Sequence, residues 1–540
     1  MNSEFDFIIV GGGTAGCVLA NRLSKNSKNN VLLVEAGKKD NYFWINIPVG
    51  YLFTVGNPKT DWCYKTTEDP GLNGRSIGYA RGKVLGGSSS INAMIYMRGQ
   101  ATDYNYWEST GCKGWSWDDV LPIFKRSEDY QHGANEFHGV GGELRVEERR
   151  VNWEILDVWR EAAEESGIKK VDEFNRGDNS GCAYFQMNQK KGIRWNATKA
   201  YLKPIRDRNN LTILTNTMVT RIILNNVEDD LVAQGIEVDL DHKKSQPRKL
   251  FANKEVIISA GAIGSPQLLQ LSGIGEDVHL ASLGINLKKE LKGVGRNLQD
   301  HLQLRSVYKV RNTVTLNEKI NSSIGKISMA LEYLFFRTGP FTMPPSQLGA
   351  FAKSHSNLKA PNLEWHVQPL SLEKFGSPLH TFNAITPSVC NLQPTSRGSV
   401  KITSSNAYDY PKIQLNYLST PEDESIAVES LKFTRRIMKA SAFDLFFPEE
   451  LLPGKDIVSN EGLLNSARNI GTTIFHPVGT CKMGIDEFSV VNEKLRVHGV
   501  NKLRVVDASI MPKITSGNTN APTVMIAEKG AEMILRENQL

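Results

Sequence analysis

The run Phe5-Asp6-Phe7-Ile8-Ile9-Val10 followed by Gly11-x-Gly13-x-x-Gly16 constrains this chain more than any other feature. The apolar run reads as a strand, and after the glycines Ala15, Val18, Leu19 and Leu23 are spaced for one buried helix face. Val31-Leu32-Leu33-Val34 supplies a second buried strand that ends on Glu35 and Ala36. Together they form a βαβ unit of about 30 residues, the setting in which this glycine pattern binds a dinucleotide. Gly11 permits the tight turn, Gly13 lets backbone approach a pyrophosphate, and Gly16 lets helix pack closely on strand. The helix N-terminus at Thr14 and Ala15 then faces the phosphates. Glu35, 19 residues beyond Gly16, stands where a carboxylate accepts hydrogen bonds from ribose hydroxyls. It disfavours a 2′-phosphate, which points to FAD or NAD over NADP.

The 540 residues correspond to two to four domains, with ample volume for a buried site. Hydrophobic residues make up 40% and charged residues 23%, the balance of a folded soluble enzyme. Lys plus Arg (64) nearly offsets Asp plus Glu (58), so no nucleic acid or other acidic polymer is expected as a partner. Six cysteines lie far apart without CxxC spacing, no metal motif is present, and the N-terminus lacks a basic leader; a reducing, cytoplasmic setting is expected. No window of about 18 uncharged apolar residues exists, so no transmembrane segment is expected; peripheral contact with an inner membrane stays open.

Residues 40 to 150 are rich in Gly, Trp and Tyr and read as long irregular loops of functional type. Strand-like runs return at 211–224 and 250–259, with a short helix at 265–271. Between 305 and 460 the pattern changes to alternating strands such as 363–367, plus a helix at 425–440. Leu503-Arg504-Val505-Val506-Asp507 is again a buried strand, followed by a helix at 522–536. The expected architecture is α/β: a Rossmann-like nucleotide domain from 1–152, 196–304 and 465–540, and a second α+β substrate domain, built on an antiparallel sheet, from 153–195 and 305–464.

Further segments carry a family resemblance. Arg81-Gly82-Lys83-Val84-Leu85-Gly86-Gly87-Ser88-Ser89-Ser90-Ile91-Asn92-Ala93-Met94 resembles the first signature of the glucose-methanol-choline oxidoreductases, and Gly264-Ser265-Pro266-Gln267-Leu268-Leu269 through Gly275 resembles their second. Val294 to His301 and Asn518-Thr519-Asn520-Ala521-Pro522-Thr523 are similar to further family segments, in the right order. The resemblance runs from residue 5 to about 535 and implies FAD. It matches Asp507 and Ala508 to the flavin's phosphate or ribityl region, where a plain helix N-cap would use the same carboxylate. It matches Val219 to an adenine-side contact. Where some members carry the histidine that bonds FAD covalently, this chain has Ile91, so the cofactor is expected to be noncovalent.

Of ten histidines, His132, His242, His279, His355, His380 and His498 read as surface residues, and His138 and His301 as structural. His476, in Phe475-His476-Pro477-Val478-Gly479-Thr480, reads by itself as a satisfied core histidine. The resemblance makes it the base that removes an alcohol proton while the flavin N5 takes the hydride. Asn520 is expected to face it and stabilise the alkoxide. The implied activity is oxidation of a small primary alcohol, choline leading, with a quinone-like acceptor or oxygen taking the electrons. A peroxide-forming oxidase, a non-redox hydroxynitrile lyase and a noncatalytic nucleotide-binding protein are the alternatives. Glu364, Trp365 and His366 are candidate substrate contacts, Trp plus Glu suiting a quaternary ammonium; a sheet with one buried face explains the same residues.

Overall fold

The structure is a computed structural model that describes residues 3–240, 247–373 and 377–538; His242 lies outside them. Two large sheets organise the chain. The first has the order Leu211–Leu214, Val31–Val34, Glu4–Val10, Arg248–Ile258, with Leu503–Val505 on the far side of the last strand, and these five run parallel. Val31 to Val34 are all buried, which is why they read as a continuous apolar run and not as an alternating one. Thr217–Val227 and Asp230–Leu240 extend this sheet antiparallel from the first half of Arg248–Ile258. Helix Thr14–Leu23 and the C-terminal helix Asn520–Glu537 cover one face together, clamped by Arg22, whose guanidinium pairs with Glu528 at 2.7 Å. The C-terminal helix therefore completes a domain begun at residue 4.

The second sheet is antiparallel throughout, in the order Glu449–Leu452, Val307–Lys309, Ala384–Asn391, Leu363–Gln368, Leu348–Ala352, Gly181–Tyr184. Leu302–Arg305 and Gly471–Thr473 also join it. Its register puts Gln303, Cys390 and Glu364 in one cross-strand row, and Arg305, Ser388 and His366 in the next. Side chains alternate faces, so this face is polar, while Leu304, Val389, Trp365 and Val367 form an apolar face. Helix Pro421–Met438 covers the apolar side; Thr420 caps it by accepting from the Asp423 N–H, with Pro421 in the first turn. Both faces are buried.

The 40–150 stretch holds more regular structure than its composition suggests. Helices Ala101–Ser109 and Trp117–Ser127 form there, the second opened by a capping box of Ser116 and Asp119. His138 is structural, its ring buried between Glu128 and Glu173. His132 and His355 are exposed, whereas His279, His380 and His498 are half-buried.

Candidate active site

A cavity of about 1300 Å³ runs between the C-terminal ends of the parallel strands and the polar face of the antiparallel sheet. Drug-sized ligands occupy pockets of roughly 300 to 1000 Å³, so this one has room for a dinucleotide and a small substrate together.

Gly11, Gly13, Thr14, Ala15, Glu35 and Ala36 line it, joined by Val219. Gly11 has φ +104°, the left-handed region that turns the chain from strand into helix. A Cβ on Gly16 would stand 1.9 Å from the Gly11 carbonyl oxygen, so Gly16 packs the helix on the turn and does not reach the cavity. A Cβ on Gly13 would meet nothing closer than the Gly87 Cα at 3.9 Å; it would project into the cavity. The helix start carries no side-chain cap, which leaves its first N–H groups for a ligand. Glu35 accepts from the Gly12 N–H at 2.8 Å and the Gly37 N–H at 2.7 Å. Burial pushes its pKa up to about 7 against those two donors. Each oxygen keeps a further lone pair for a ribose hydroxyl.

The 81–94 loop lies across this turn. The Gly86 N–H donates to the Gly12 carbonyl at 2.7 Å, and a Cβ on Gly87, at φ +53°, would stand 2.7 Å from the Gly13 Cα. Gly87, Ser88, Ile91, Asn92, Ala93 and Met94 reach the cavity, whereas Val84 and Gly86 support the loop from behind. Arg81 lines the cavity and donates through Nη2 to the Phe475 carbonyl at 2.6 Å, tying this loop to the His476 segment. Asp507, Ala508 and Thr523 also line it, and Pro522 does not. The Asp507 carboxylate accepts from Ser265 Oγ, the Gly261 N–H and the Ser509 N–H, so it caps the short turn Ala508–Ile510 while facing the cavity. A dinucleotide such as FAD fits this cradle: the uncapped helix start, the open glycine and the buried Glu35 carboxylate converge on one cavity.

His476 lines the same cavity and is buried. Phe475 before it has φ +66°, a strained conformation that costs a large side chain roughly 1 to 3 kcal/mol. Thr473 Oγ1 accepts the Phe475 N–H at 2.7 Å, and Asp300 accepts the His476 N–H at 2.7 Å. Asp300 is fixed in turn by the hydroxyls of Tyr79, Tyr417 and Thr473.

The imidazole contacts assign its tautomer. The Leu392 carbonyl, 3.1 Å from His301 Nε2, can only accept, so His301 carries its proton on Nε2 and its Nδ1 accepts. His476 Nδ1 lies 3.1 Å from that Nδ1 and must donate to it. His476 Nε2 is left with its lone pair, 3.0 Å from the Asn518 Nδ2 donor. Burial first, then His301, His366 and Arg81, hold the His476 pKa well below the ordinary histidine value, so the ring is neutral near pH 7. A buried neutral imidazole and an amide donor share one edge of the cavity.

Three expectations change here. The asparagine facing His476 is Asn518, not Asn520. Asn520 opens the C-terminal helix and lines the cavity beside the glycine turn, where its Oδ1 accepts from Thr14 Oγ1 at 3.0 Å. His301, read as structural, is in direct contact with His476. Trp365 faces away from the cavity: its Nε1 donates to Thr434 Oγ1 at 2.9 Å and its ring packs on Phe433. Strand alternation puts Glu364 and His366 on the opposite face, 3.1 Å apart, and of the three only His366 lines the cavity. The cage of Trp plus Glu is therefore not built. Gln303, Arg305, Ser346 and Gln368, which carry no motif, line the wall instead. For Gln303, Arg305 and Gln368 the legible signal is that a buried strand shows polar residues at every second position; Ser346 precedes its strand and carries none.

The family models for GMC oxidoreductase match residues 5–303 and 394–527. The chain is 38% identical over 534 residues to an alcohol dehydrogenase [acceptor] of Pseudomonas putida, covering 99% of this chain and 96% of that one. It is 38% identical over 540 residues to human mitochondrial choline dehydrogenase, covering 98% and 90%. Among solved structures, pyridoxine 4-oxidase from Mesorbium loti superposes with a TM-score of 0.88 at 32% identity over 98% of both chains. A formate oxidase does so with 0.91 at 28% over 100% of this chain and 99% of that one. With family matches over both halves, near full-length relatives and this cavity, the chain belongs to the GMC oxidoreductases, flavoproteins that act on CH–OH groups.

Proposed function

We propose that this chain oxidises a neutral primary alcohol to its aldehyde, with noncovalent FAD along the cavity, His476 as the base and Asn518 as its partner. The observation that carries this reading is the neutral His476 edge opening on the cavity that holds the dinucleotide cradle. Bound FAD supplies the hydride acceptor. Gly11, Gly13, Thr14 and Ala15 would hold its pyrophosphate, Glu35 and Ala36 a ribose, Val219 the adenine side, and the backbone at 87–94 the flavin. Ile91 offers no nucleophile for a covalent bond.

The chain's part in the chemistry follows from the tautomer. The alcohol O–H donates to the His476 Nε2 lone pair, which takes the proton as the C–H bond breaks. Negative charge developing on the alcohol oxygen meets the Asn518 Nδ2–H, and such a donor in a water-poor site is worth about 10² to 10³ in rate. His301 is a positioning residue: it holds His476 in the tautomer that can accept. The division of labour we propose assigns the cofactor to the parallel sheet and the alcohol to the polar face of the antiparallel one.

Preference for a neutral alcohol over choline rests on the wall. Gln303 and Arg305 alternate onto the cavity from one strand, and the buried Arg305 guanidinium would repel a trimethylammonium group. Glu35, Asp61 and Asp507 on the wall accept from protein N–H or hydroxyl donors, and Glu373 is exposed. The acceptor we propose is quinone-like and faster than oxygen. The test is anaerobic bleaching of the purified yellow protein by choline and by its isosteric neutral analogue 3,3-dimethylbutan-1-ol. The neutral alcohol should reduce the flavin with the higher efficiency. A choline preference of tenfold or more would overturn the substrate class, and no bleaching by any alcohol would favour the lyase.

A further inference from the structure

Helix Ser323–Phe336 presents its apolar residues the wrong way for a core helix. Met329 and Tyr333 are its buried side chains, whereas Ile324, Ile327, Leu331, Leu334, Phe335 and Phe336 are between 48% and 81% exposed. Spacings of three and four residues put Ile324, Ile327, Leu331, Leu334 and Phe335 on one outward stripe opposite the Met329 and Tyr333 anchors. Phe43 and Phe53 add exposed rings beside it, since Trp44, stacked on Phe53 at 4.1 Å, packs in the same cluster as Tyr333. Exposed apolar surface gathered like this marks a binding face.

The charges around the stripe are basic. Arg337 caps the helix end, its carbonyl accepting from Arg150 Nε at 2.7 Å, and Tyr333 OH donates to the Gly192 carbonyl at 3.1 Å. These contacts bring Arg150, Arg337 and the exposed segment Lys190-Lys191 to one end of the helix, with Arg149 beside Arg150 stacked on the Tyr184 ring and Lys190 over the Trp195 ring. Glu147 is paired with Arg145 and accepts the Lys191 N–H, and Glu332, which accepts from Thr338 Oγ1, is the one acidic residue of the helix, so cations outnumber it at this end. Fourteen residues span about 21 Å, short of the roughly 30 Å hydrocarbon layer, so the helix cannot cross a bilayer and can lie in its interface. No helix among the described residues is long and apolar enough to cross. Tyr51 and Leu52, which pack against Tyr333 from behind, line the cavity that holds His476.

We propose that helix Ser323–Phe336 docks this enzyme on an anionic phospholipid bilayer, its apolar stripe in the acyl boundary and the basic collar among the headgroups. The Tyr51 wall of the cavity then lies directly above the membrane surface. Headgroup phosphates complement the collar; a second copy of the chain carries the same collar and does not.

The test is co-sedimentation of the FAD-loaded protein with phosphatidylcholine vesicles, with and without phosphatidylglycerol, beside sedimentation velocity without lipid. The protein should pellet with the anionic vesicles. The triple variant Leu331→Ser, Leu334→Ser, Phe335→Ser should lower partitioning at least tenfold, with flavin content and dye-linked turnover in solution unchanged. Lys190→Glu with Lys191→Glu should weaken binding to the anionic vesicles more than to neutral ones. The proposal is overturned if the wild type does not bind anionic vesicles, if the triple variant binds equally, or if the stripe is covered by a dimer that the triple variant dissolves.

Discussion

Replacing Asn518 and Asn520 separately by alanine tests the assignment of the alkoxide donor. The Asn518 Nδ2 lies 3.0 Å from His476 Nε2, within reach of an oxygen bonded to that nitrogen, whereas the Asn520 amide is joined to Thr14 Oγ1 at 3.0 Å and to Asn188 Oδ1 at 3.5 Å. Losing one preorganised donor to a developing oxyanion costs about 2.7 to 4 kcal/mol, or 10² to 10³ in turnover. His301 still fixes the tautomer in Asn518→Ala, so the base survives and the loss falls on the rate, leaving the pH dependence in place. Asn520→Ala removes a hydrogen bond worth about 1 kcal/mol of stability, with at most a few-fold effect on rate. Anaerobic stopped-flow reduction at saturating alcohol, on protein of matched flavin content, reads both. An Asn520→Ala slower than Asn518→Ala, or an Asn518→Ala within threefold of wild type, would refute the geometry.

The same site makes four further predictions. His476 must be neutral to act and burial holds its pKa low, so kcat/KM should stay level as pH falls through 6.5 and decline only below it; an acid limb near pH 7 would contradict this. Stability follows with a worked sign: the unfolded chain protonates His476 near pH 6.5 and the folded chain only lower, so this contribution is complete above 6.5 and lost as pH falls toward the folded value. His476→Gln should accordingly lose less Tm than wild type between pH 7 and pH 5. Gly13→Ala should fold yet release FAD, because its Cβ points into the cavity, whereas Gly16→Ala, with a Cβ 1.9 Å from a carbonyl oxygen, should lower Tm as well; equal Tm losses would count against the cradle. Trp365→Phe should cost about 1 kcal/mol in stability through the lost Thr434 bond and leave substrate KM unchanged; a changed KM would return Trp365 to the pocket.

Much of the cofactor half was legible because its determinants are local. A strand, a glycine turn, a helix and a second strand lie within the first 35 residues, and the pattern of each period is visible without knowing what packs on it. Glu35, Gly13 and Ile91 were placed by such short-range grammar and by family wording. The antiparallel-sheet side of the cavity could not be read this way. Which asparagine faces His476 depends on the turn Ser516-Gly517-Asn518, held by Asp103, which accepts from the Ser516 N–H at 2.7 Å across 413 residues of sequence. Which of Glu364, Trp365 and His366 reaches the cavity depends on the register between Leu363–Gln368 and Ala384–Asn391, where a slip of one residue would exchange the faces. His301 became a partner of His476 only when two chain segments 175 residues apart met. The sequence by itself determined the local backbone and the chemistry on offer. Tertiary structure decided which side chains met, because strand register and turn orientation are set by long-range packing that no local pattern encodes.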